Sequence, residues 1–341
     1  MKNFTLAFLY NVRRIYPDPK DPQSDLEADF DDIETIEWII KHLKKLGYSV
    51  LTIEANEEAY LKLYKNRKKI DFAFDFSFGL YGGQKYGHIP GMLEMLQIPF
   101  TSSSSFTRNL TLNKVEMKQI LLANKIPTLP YQVFASENDK KRVGLSYPLI
   151  VKPMAQGSSA GISNKSVVHT DQELKKQVRF ILRTFSYPAF VEPFLRWREF
   201  SVSLLGNPPR ILPIIEPDFK KLPKKFLPID SMEVKWVFEE EAETNHLVCP
   251  ARLEPNLKKK VETIALKTWE VLDIKDLCRI DMRTDQKNNL YILDVNAPPG
   301  LIPPEVSVTS YVPLAARAAE IDYSTLLRTI IESGMKRYGL I

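Results

Sequence analysis

A chain of 341 residues, 44% hydrophobic and 26% charged, has the make-up of a soluble globular protein and exceeds a single typical domain. Its 47 Lys and Arg against 42 Asp and Glu leave a net charge of +5. The basic blocks at 66–70, 220–225 and 257–260 are scattered without interleaved aromatics, which argues against nucleic acid as a partner. Cys249 and Cys278 stand far apart with no CxxC spacing, so neither a disulfide framework nor a thiolate metal site is expected. No run of 18 apolar residues offers a membrane span, and MKNFTLAFLYNVRRIY reads as a first strand rather than a signal peptide. A cytoplasmic protein is expected.

In chain order, FTLAFLY (4–10) reads as a strand. Residues 31–47 read as a helix, with Asp31 or Asp32 as cap, Ile33, Ile36, Ile40 and Leu43 on one face, and Gly47 as stop. Strands at 48–54 and 71–76, a short helix at 88–97 and the strand IPF continue a βαβ rhythm, which calls for a parallel sheet covered on both faces. The serine run TSSSS (101–105) reads as a hinge or connection. A second segment holds a helix at 112–125, short strands, a helix at 171–185 and a strand at 189–194. The third holds a strand at 198–206, a proline-rich excursion at 207–230, a helix at 255–273, then two strands and two helices. The expected units are 1–105, 106–190 and 191–341.

The stretch VKPMAQGSSAGI (151–162) places Lys152 at the end of a β-branched run, five residues before a loop poor in side chains. Glycines admit close backbone approach, successive loop N–H groups can cradle an anion, and the lysine adds a point charge. Neither GxxxxGK[ST] nor GxGxxG is present, so by itself this loop suits an ordinary turn as well as a phosphate grip.

LCRIDMR (277–283) and LYILDVN (290–296) flank the turn-rich TDQKNN and predict an antiparallel hairpin. The register that sets Asp281 opposite Asp294 also sets Arg279 opposite Asn296, with all four on one face. Ile280, Met282, Leu293 and Val295 then share the apolar face. Two carboxylates and a carboxamide are hard oxygen donors suited to Mg²⁺ or Mn²⁺ held together with phosphates. A solvated face with salt bridges fits the same pattern.

Taken in order, YPLIVKPMAQGSSAGI, FVEPFLRWREFSVSLLGN and CRIDMRTDQKNNLYILDVNAPPGL resemble ATP-grasp ligases of the D-alanine–D-alanine ligase family. The likeness extends over most of the chain beyond residue 70, while residues 11–35 match poorly. It implies an α/β, three-domain ATP-grasp fold: a Rossmann-like parallel-sheet domain followed by two α+β domains clasping ATP. The implied reaction is ATP-dependent carboxylate–amine ligation through an acyl phosphate, with two Mg²⁺ or Mn²⁺ ions, small amino-acid or peptide substrates, and a homodimer as assembly. Lys114 and Lys152 would grip the α and β phosphates, and the loop with Gly157, Ser158 and Ser159 would close over the β/γ end. Ser158 matches the serine that orients the reacting groups. Glu192, Phe194 and Leu195 would line the adenine pocket, and Glu199 would reach the ribose. Asp281, Asp294 and Asn296 match the metal positions, Arg279 and the Gly300 backbone N–H the oxyanion stabilisers. Lys235 matches the lysine of a mobile loop over the γ-phosphate.

The sequence also departs from the family. Aspartate stands at Asp294 where glutamate is usual, and Trp236 replaces a tyrosine beside the substrate. The acid expected to hold the first ammonium has no aligned equivalent among Glu27, Asp29, Asp31 and Asp32. A substrate histidine is missing from FSFGLYG, and LIPPEVSVTSYVP carries extra residues, so Ser310 matches the acceptor-loop serine only if the insertion bulges outward. D-Alanyl-D-alanine synthesis is therefore the default, a different amino-acid or peptide pair the alternative, and a catalytically silent ATP-binding protein the rival from another class. The departures favour altered acceptor specificity.

Overall fold

The computed structural model describes residues 4–18, 21–238 and 246–341. Three strands, β1 (Thr5–Tyr10), β2 (Ser49–Glu54) and β3 (Phe72–Phe76), form a parallel sheet in the order β2-β1-β3. Phe100 of the expected strand IPF adds only a parallel bridge to Ala73. Helix α1 (Ile33–Lys45) buries Ile36, Ile39 and Leu43. Ile33 is exposed instead of inward, because the buried positions fall at 36, 39 and 43 along the helix. Helices α2 (Ala59–Asn66) and α3 (His88–Met95) cover the sheet further, α2 being unanticipated.

The serine run is no hinge. Thr101, Ser102 and Ser103 are buried, the Ser102 N–H donates to Asp276 (2.7 Å), and Ser103 Oγ accepts from the Lys275 N–H (3.0 Å). These bonds fasten it to the C-terminal part of the chain. Ser104 then caps α4 (Ser105–Leu112), and Asn113 caps α5 (Lys114–Ala123), so the helix expected at 112–125 is two helices meeting at a cap.

A second sheet has the order β4-β7-β5-β6, all antiparallel: β4 (Gln132–Phe134), β5 (Leu149–Pro153), β6 (Val167–Val168) and β7 (Ala189–Pro193). Helix α6 (Asp171–Phe185), capped by Thr170, packs its Leu174, Val178 and Ile181 face on it. All five residues of β7 pair with β5 across residue 190.

The third sheet joins β8 (Glu199–Leu205), β9 (Arg210–Ile211), β12 (Leu277–Thr284) and β13 (Leu290–Asn296) in the order β13-β12-β8-β9. Short β10 (Glu216–Pro217) and β11 (Leu247–Val248) pair beside it. Helix α7 (Pro255–Val271) and α5 bury Val261, Trp269, Met117 and Leu121 against its apolar face. The hairpin has the expected register, Arg279 opposite Asn296 and Asp281 opposite Asp294, followed by a bulge that sets Met282 opposite Ile292. The extra residue removes Leu293 from the apolar face: Ile292 and Val295 are buried there, while Leu293 lines a cavity beside Asp294. Finally α8 (Tyr311–Ala318) and α9 (Tyr323–Arg337) return to the first sheet and share its core. A Cβ at Gly334 would meet the Phe72 ring at 2.8 Å, so only glycine lets α9 lie this close to β3.

Candidate active site

The second and third sheets and the start of α5 enclose a cavity of about 130 Å³. It is lined by Lys114, Lys152, Gly157, Ser158, Ser159, Glu199, Lys235, Arg279, Asp281, Asp294 and Asn296, eleven residues singled out from sequence. A larger cavity of about 630 Å³ adjoins it, lined by residues 28–32, 302 and 304–310 together with Arg13 and Gly300. The two share Tyr86, Ser158, Lys235, Arg279, Asn296 and Tyr311.

In the smaller cavity, alternation along paired strands aims the polar groups. Glu199, Ser201, Arg279, Asp281 and Arg283 occupy alternate positions of β8 and β12, whose register sets Ser201 opposite Asp281 and Glu199 opposite Arg283. Asp281 accepts from Ser201 Oγ (2.5 Å), Arg279 Nε (3.0 Å) and Asn296 Nδ2 (2.9 Å). Burial alone would raise this carboxyl, but Arg279 outweighs it and holds Asp281 below the usual carboxylate range. The Asn296 amide spends its N–H on Asp281, which leaves its oxygen as an acceptor. Asp294 approaches Lys114 at 3.4 Å, Arg283 meets Glu199 at 2.9 Å, and Lys235 meets Asp230 at 3.0 Å. Burial pushes Glu199 up despite Arg283.

The glycine loop is held from outside as well as within. Ser158 and Ser159 sit at φ 48° and 61°, a left-handed conformation that costs non-glycine residues energy. Ser159 Oγ donates to the Asp230 carbonyl (2.7 Å), and the Gly161 N–H to Asp25 (2.9 Å). A Cβ at Gly157 would lie 2.5 Å from both Asp29 Oδ1 and Tyr86 Oη, so that glycine is required by the N-terminal segment packed on it.

Three residues expected at the adenine do not line this cavity. Glu192 is buried with its carboxylate on Lys152 and Lys118, both 2.8 Å away, and does not line the cavity. Phe194 and Leu195 line a separate surface depression with Trp197. Gly300 and Ser310 line the larger cavity, and so does the insertion, through Ile302 and residues 304–309, which lies along the wall instead of bulging away. The side chain of Trp236 lies outside the described residues.

The acidic candidates separate by partner. Glu27 accepts the backbone N–H groups of Arg14 and Ile15. Asp29 pairs with Lys85 at 3.0 Å, and Asp32 with Arg13 at 3.5 Å. Asp31 is 8% exposed, lines the larger cavity and makes no side-chain hydrogen bond among the described residues; burial pushes its carboxyl up to about 7 against the pull of Arg13. Glu305 is held by His42 at 3.1 Å.

Sequence reasoning missed Lys118, Ser201, Asp230, Arg283, Lys85 and Asp25. Ser201 and Arg283 carried a signal, two residues from Glu199 and Asp281 in strands already aligned, and Lys118 lies one helical turn from Lys114. The rest come from irregular segments where no period points.

Comparisons with known proteins agree with this architecture. The family model described as D-ala D-ala ligase C-terminus matches residues 120–332. The D-alanine–D-alanine ligase of Carboxydothermus hydrogenoformans is 31% identical over 314 residues, covering 89% of this chain and 93% of that protein. That of Pelotomaculum thermopropionicum is 29% identical over 326 residues, covering 90% and 93%. The chain belongs to the D-alanine–D-alanine ligase family. Its fold is theirs too: the crystal structure of the Bacillus anthracis D-alanine–D-alanine ligase complexed with ATP superimposes with a TM-score of 0.72 at 22% identity, over 98% of this chain and 99% of that one. Among the described residues no helix is long and apolar enough to cross a membrane.

Proposed function

We propose that this ADP-forming ligase activates an amino-acid carboxylate with ATP in the smaller cavity and joins it to the amine of a second amino acid or peptide in the larger one. The observation that carries this reading is the shared wall: Ser158, Lys235, Arg279 and Asn296 border both cavities, where a transferred phosphoryl group would meet a carboxylate. The clasping units follow the expected divisions 1–105, 106–190 and 191–341, except that the second runs on to Pro193 because the whole of β7 pairs with β5, and the nucleotide lies between the second and third. The family's homodimer and cytoplasmic location belong to the same reading.

Lys114 and Lys152 meet the phosphates as point charges, and the 157–161 loop supplies N–H groups at the β/γ end. Asp281, Asp294 and the Asn296 oxygen are hard donors on one wall and suit Mg²⁺ or Mn²⁺, two ions on the family pattern. When bound, the metal neutralises charge on the transferred phosphoryl group. Lys235 covers the γ-phosphate side and excludes water. A substrate carboxylate oxygen bonds to the γ-phosphorus as ADP leaves, giving an acyl phosphate; the acceptor amine then adds to the acyl carbon, and phosphate departs with the proton that the nitrogen gives up. Arg279 and the Gly300 N–H face the oxyanion formed between these steps.

Asp31 is the acid we assign to a substrate ammonium, because Glu27, Asp29 and Asp32 already have partners. D-Alanine is the default for both substrates. The insertion along the cavity wall and the carboxylate of Glu305 favour a second reading, in which the acceptor is another amino acid or a peptide with a basic group. A phosphate-release screen over pairs of D- and L-amino acids decides: D-alanine alone saturating the enzyme supports the default, turnover only with a second compound supports the altered acceptor, and no phosphate from any pair overturns ligation.

A further inference from the structure

The ammonium groups of Lys152 on β5 and Lys118 on α5 share one carboxylate. Glu192 Oε1 accepts from Lys152 and Oε2 from Lys118, each at 2.8 Å. Lys118 is fully buried, and its remaining donors go to Thr128 Oγ1 (2.6 Å) and the Ile292 carbonyl (3.3 Å). Lys118 does not line the cavity, whereas Lys152 does. A buried charge without a job at the surface is expensive, and a hydrophobic side chain of similar length would fill the same space at less cost. The arithmetic of charge shows what the second lysine does. Two ammoniums and one carboxylate leave the group with a net charge of +1; Lys152 and Glu192 alone would be neutral.

We propose that Lys118 is a positioning residue for nucleotide binding: by taking half of the Glu192 carboxylate, it leaves Lys152 with positive charge to offer a phosphate. This rests on the reading that Lys152 meets ATP phosphate. Burial favours a neutral carboxyl at Glu192, but Lys118 and Lys152 outweigh it and hold it down at about 2, so the carboxylate stays ionised and demands two partners. The geometry also fixes Lys152 in direction, since the Lys118–Glu192 bond ties α5 to β7 while Lys152 reaches Glu192 from the paired strand β5.

The test is calorimetry of Mg·ATP and of adenosine on the full chain. Lys118→Met should weaken Mg·ATP binding roughly tenfold or more, the scale of one charge-assisted hydrogen bond, and leave adenosine unaffected. Lys118→Met/Glu192→Gln restores the net charge and should bind Mg·ATP several-fold more tightly than Lys118→Met. Thr128→Val removes a partner of Lys118 without changing the charge; it should lower the melting temperature and leave Mg·ATP affinity within about threefold. If Lys118→Met does not fold, Thr128→Val still decides, because a tenfold loss there would mean that anchoring rather than charge governs the site. Unchanged Mg·ATP affinity in folded Lys118→Met, or a double variant as weak as the single one, overturns the proposal alone. No Mg·ATP binding by the unaltered chain overturns the phosphate reading, and this inference with it.

Discussion

The two adjoining cavities are built on different principles. Around the smaller one, each carboxylate faces a cation from a neighbouring element or strand position: Asp281 with Arg279, Asp294 with Lys114, Glu199 with Arg283, Asp230 with Lys235. Around the larger one Asp29, Asp32 and Glu305 are matched, but by residues of the N-terminal segment, the loop before α3 and α1, and Asp31 is left over. A strand scaffold fixes the first set of groups by register, and loops fix the second. Chemistry common to a family can sit on the first kind of frame while selectivity varies on the second.

Breaking the smaller cavity should cost most. Arg279→Met removes the partner of Asp281 and the cation proposed to face the oxyanion, and kcat should fall about 10²–10³-fold, the usual loss for one such donor. A variant within tenfold of the unaltered enzyme in ADP formation would take Arg279 out of the chemistry. Lys152→Ala should act on nucleotide rather than on amino acid: a lost charge-assisted contact corresponds to roughly ten- to hundredfold in ATP affinity. Equal losses in the Michaelis constants of ATP and amino acid would point to general collapse of the site.

This division also explains what the sequence revealed. The hairpin register could be read because side chains alternate with a period of two and both strands carry polar residues in phase. The bulge at Leu293 could not, since an inserted residue leaves the composition of the strand unchanged. The serine run looked like a hinge because serine is common in connections; its burial depends on Asp276, some 170 residues away in sequence. Lys85 beside Asp29 and His42 beside Glu305 are tertiary pairings with no local signature. Glu192, expected by resemblance among the residues of the adenine pocket, turns its carboxylate to Lys152 and to Lys118, a residue no motif had singled out.

The larger cavity should respond to pH through Asp31. Its carboxyl is raised from 3.8 to about 7 by burial, with Arg13 opposing and Asp32 and Asp29 reinforcing. The folded state therefore holds the proton more tightly than the unfolded chain, and stability falls as pH rises from about 4 to 7. Asp31→Asn removes that cost, so its melting temperature should exceed that of the unaltered enzyme at pH 8, with the gap closing towards pH 4. An ammonium-bearing substrate offers the ionised carboxylate a partner and should raise the melting temperature of the unaltered enzyme more at pH 8 than at pH 5. A gap independent of pH would show that Asp31 is not the titrating group.

The smallest effect is expected at Glu305, and it separates two acceptors. Its side chain is 31% exposed and already accepts a hydrogen bond from His42 Nε2 (3.1 Å), so the charge it presents to the cavity is screened by solvent and partly engaged. Contacts of this kind are worth at most about 1 kcal/mol, roughly fivefold in an equilibrium. An acceptor carboxylate would be repelled by Glu305 and an acceptor ammonium drawn to it. Glu305→Gln should therefore raise kcat/KM for D-alanine as acceptor by about two- to fivefold and lower it by a similar factor for an acceptor with a basic side chain. His42→Ala, which removes the partner and frees the carboxylate, should move the ratio the opposite way. If both variants leave the ratio of neutral to basic acceptors where it was, the 302–309 segment does not set acceptor charge. The departures from the family would then concern the shape of the cavity alone.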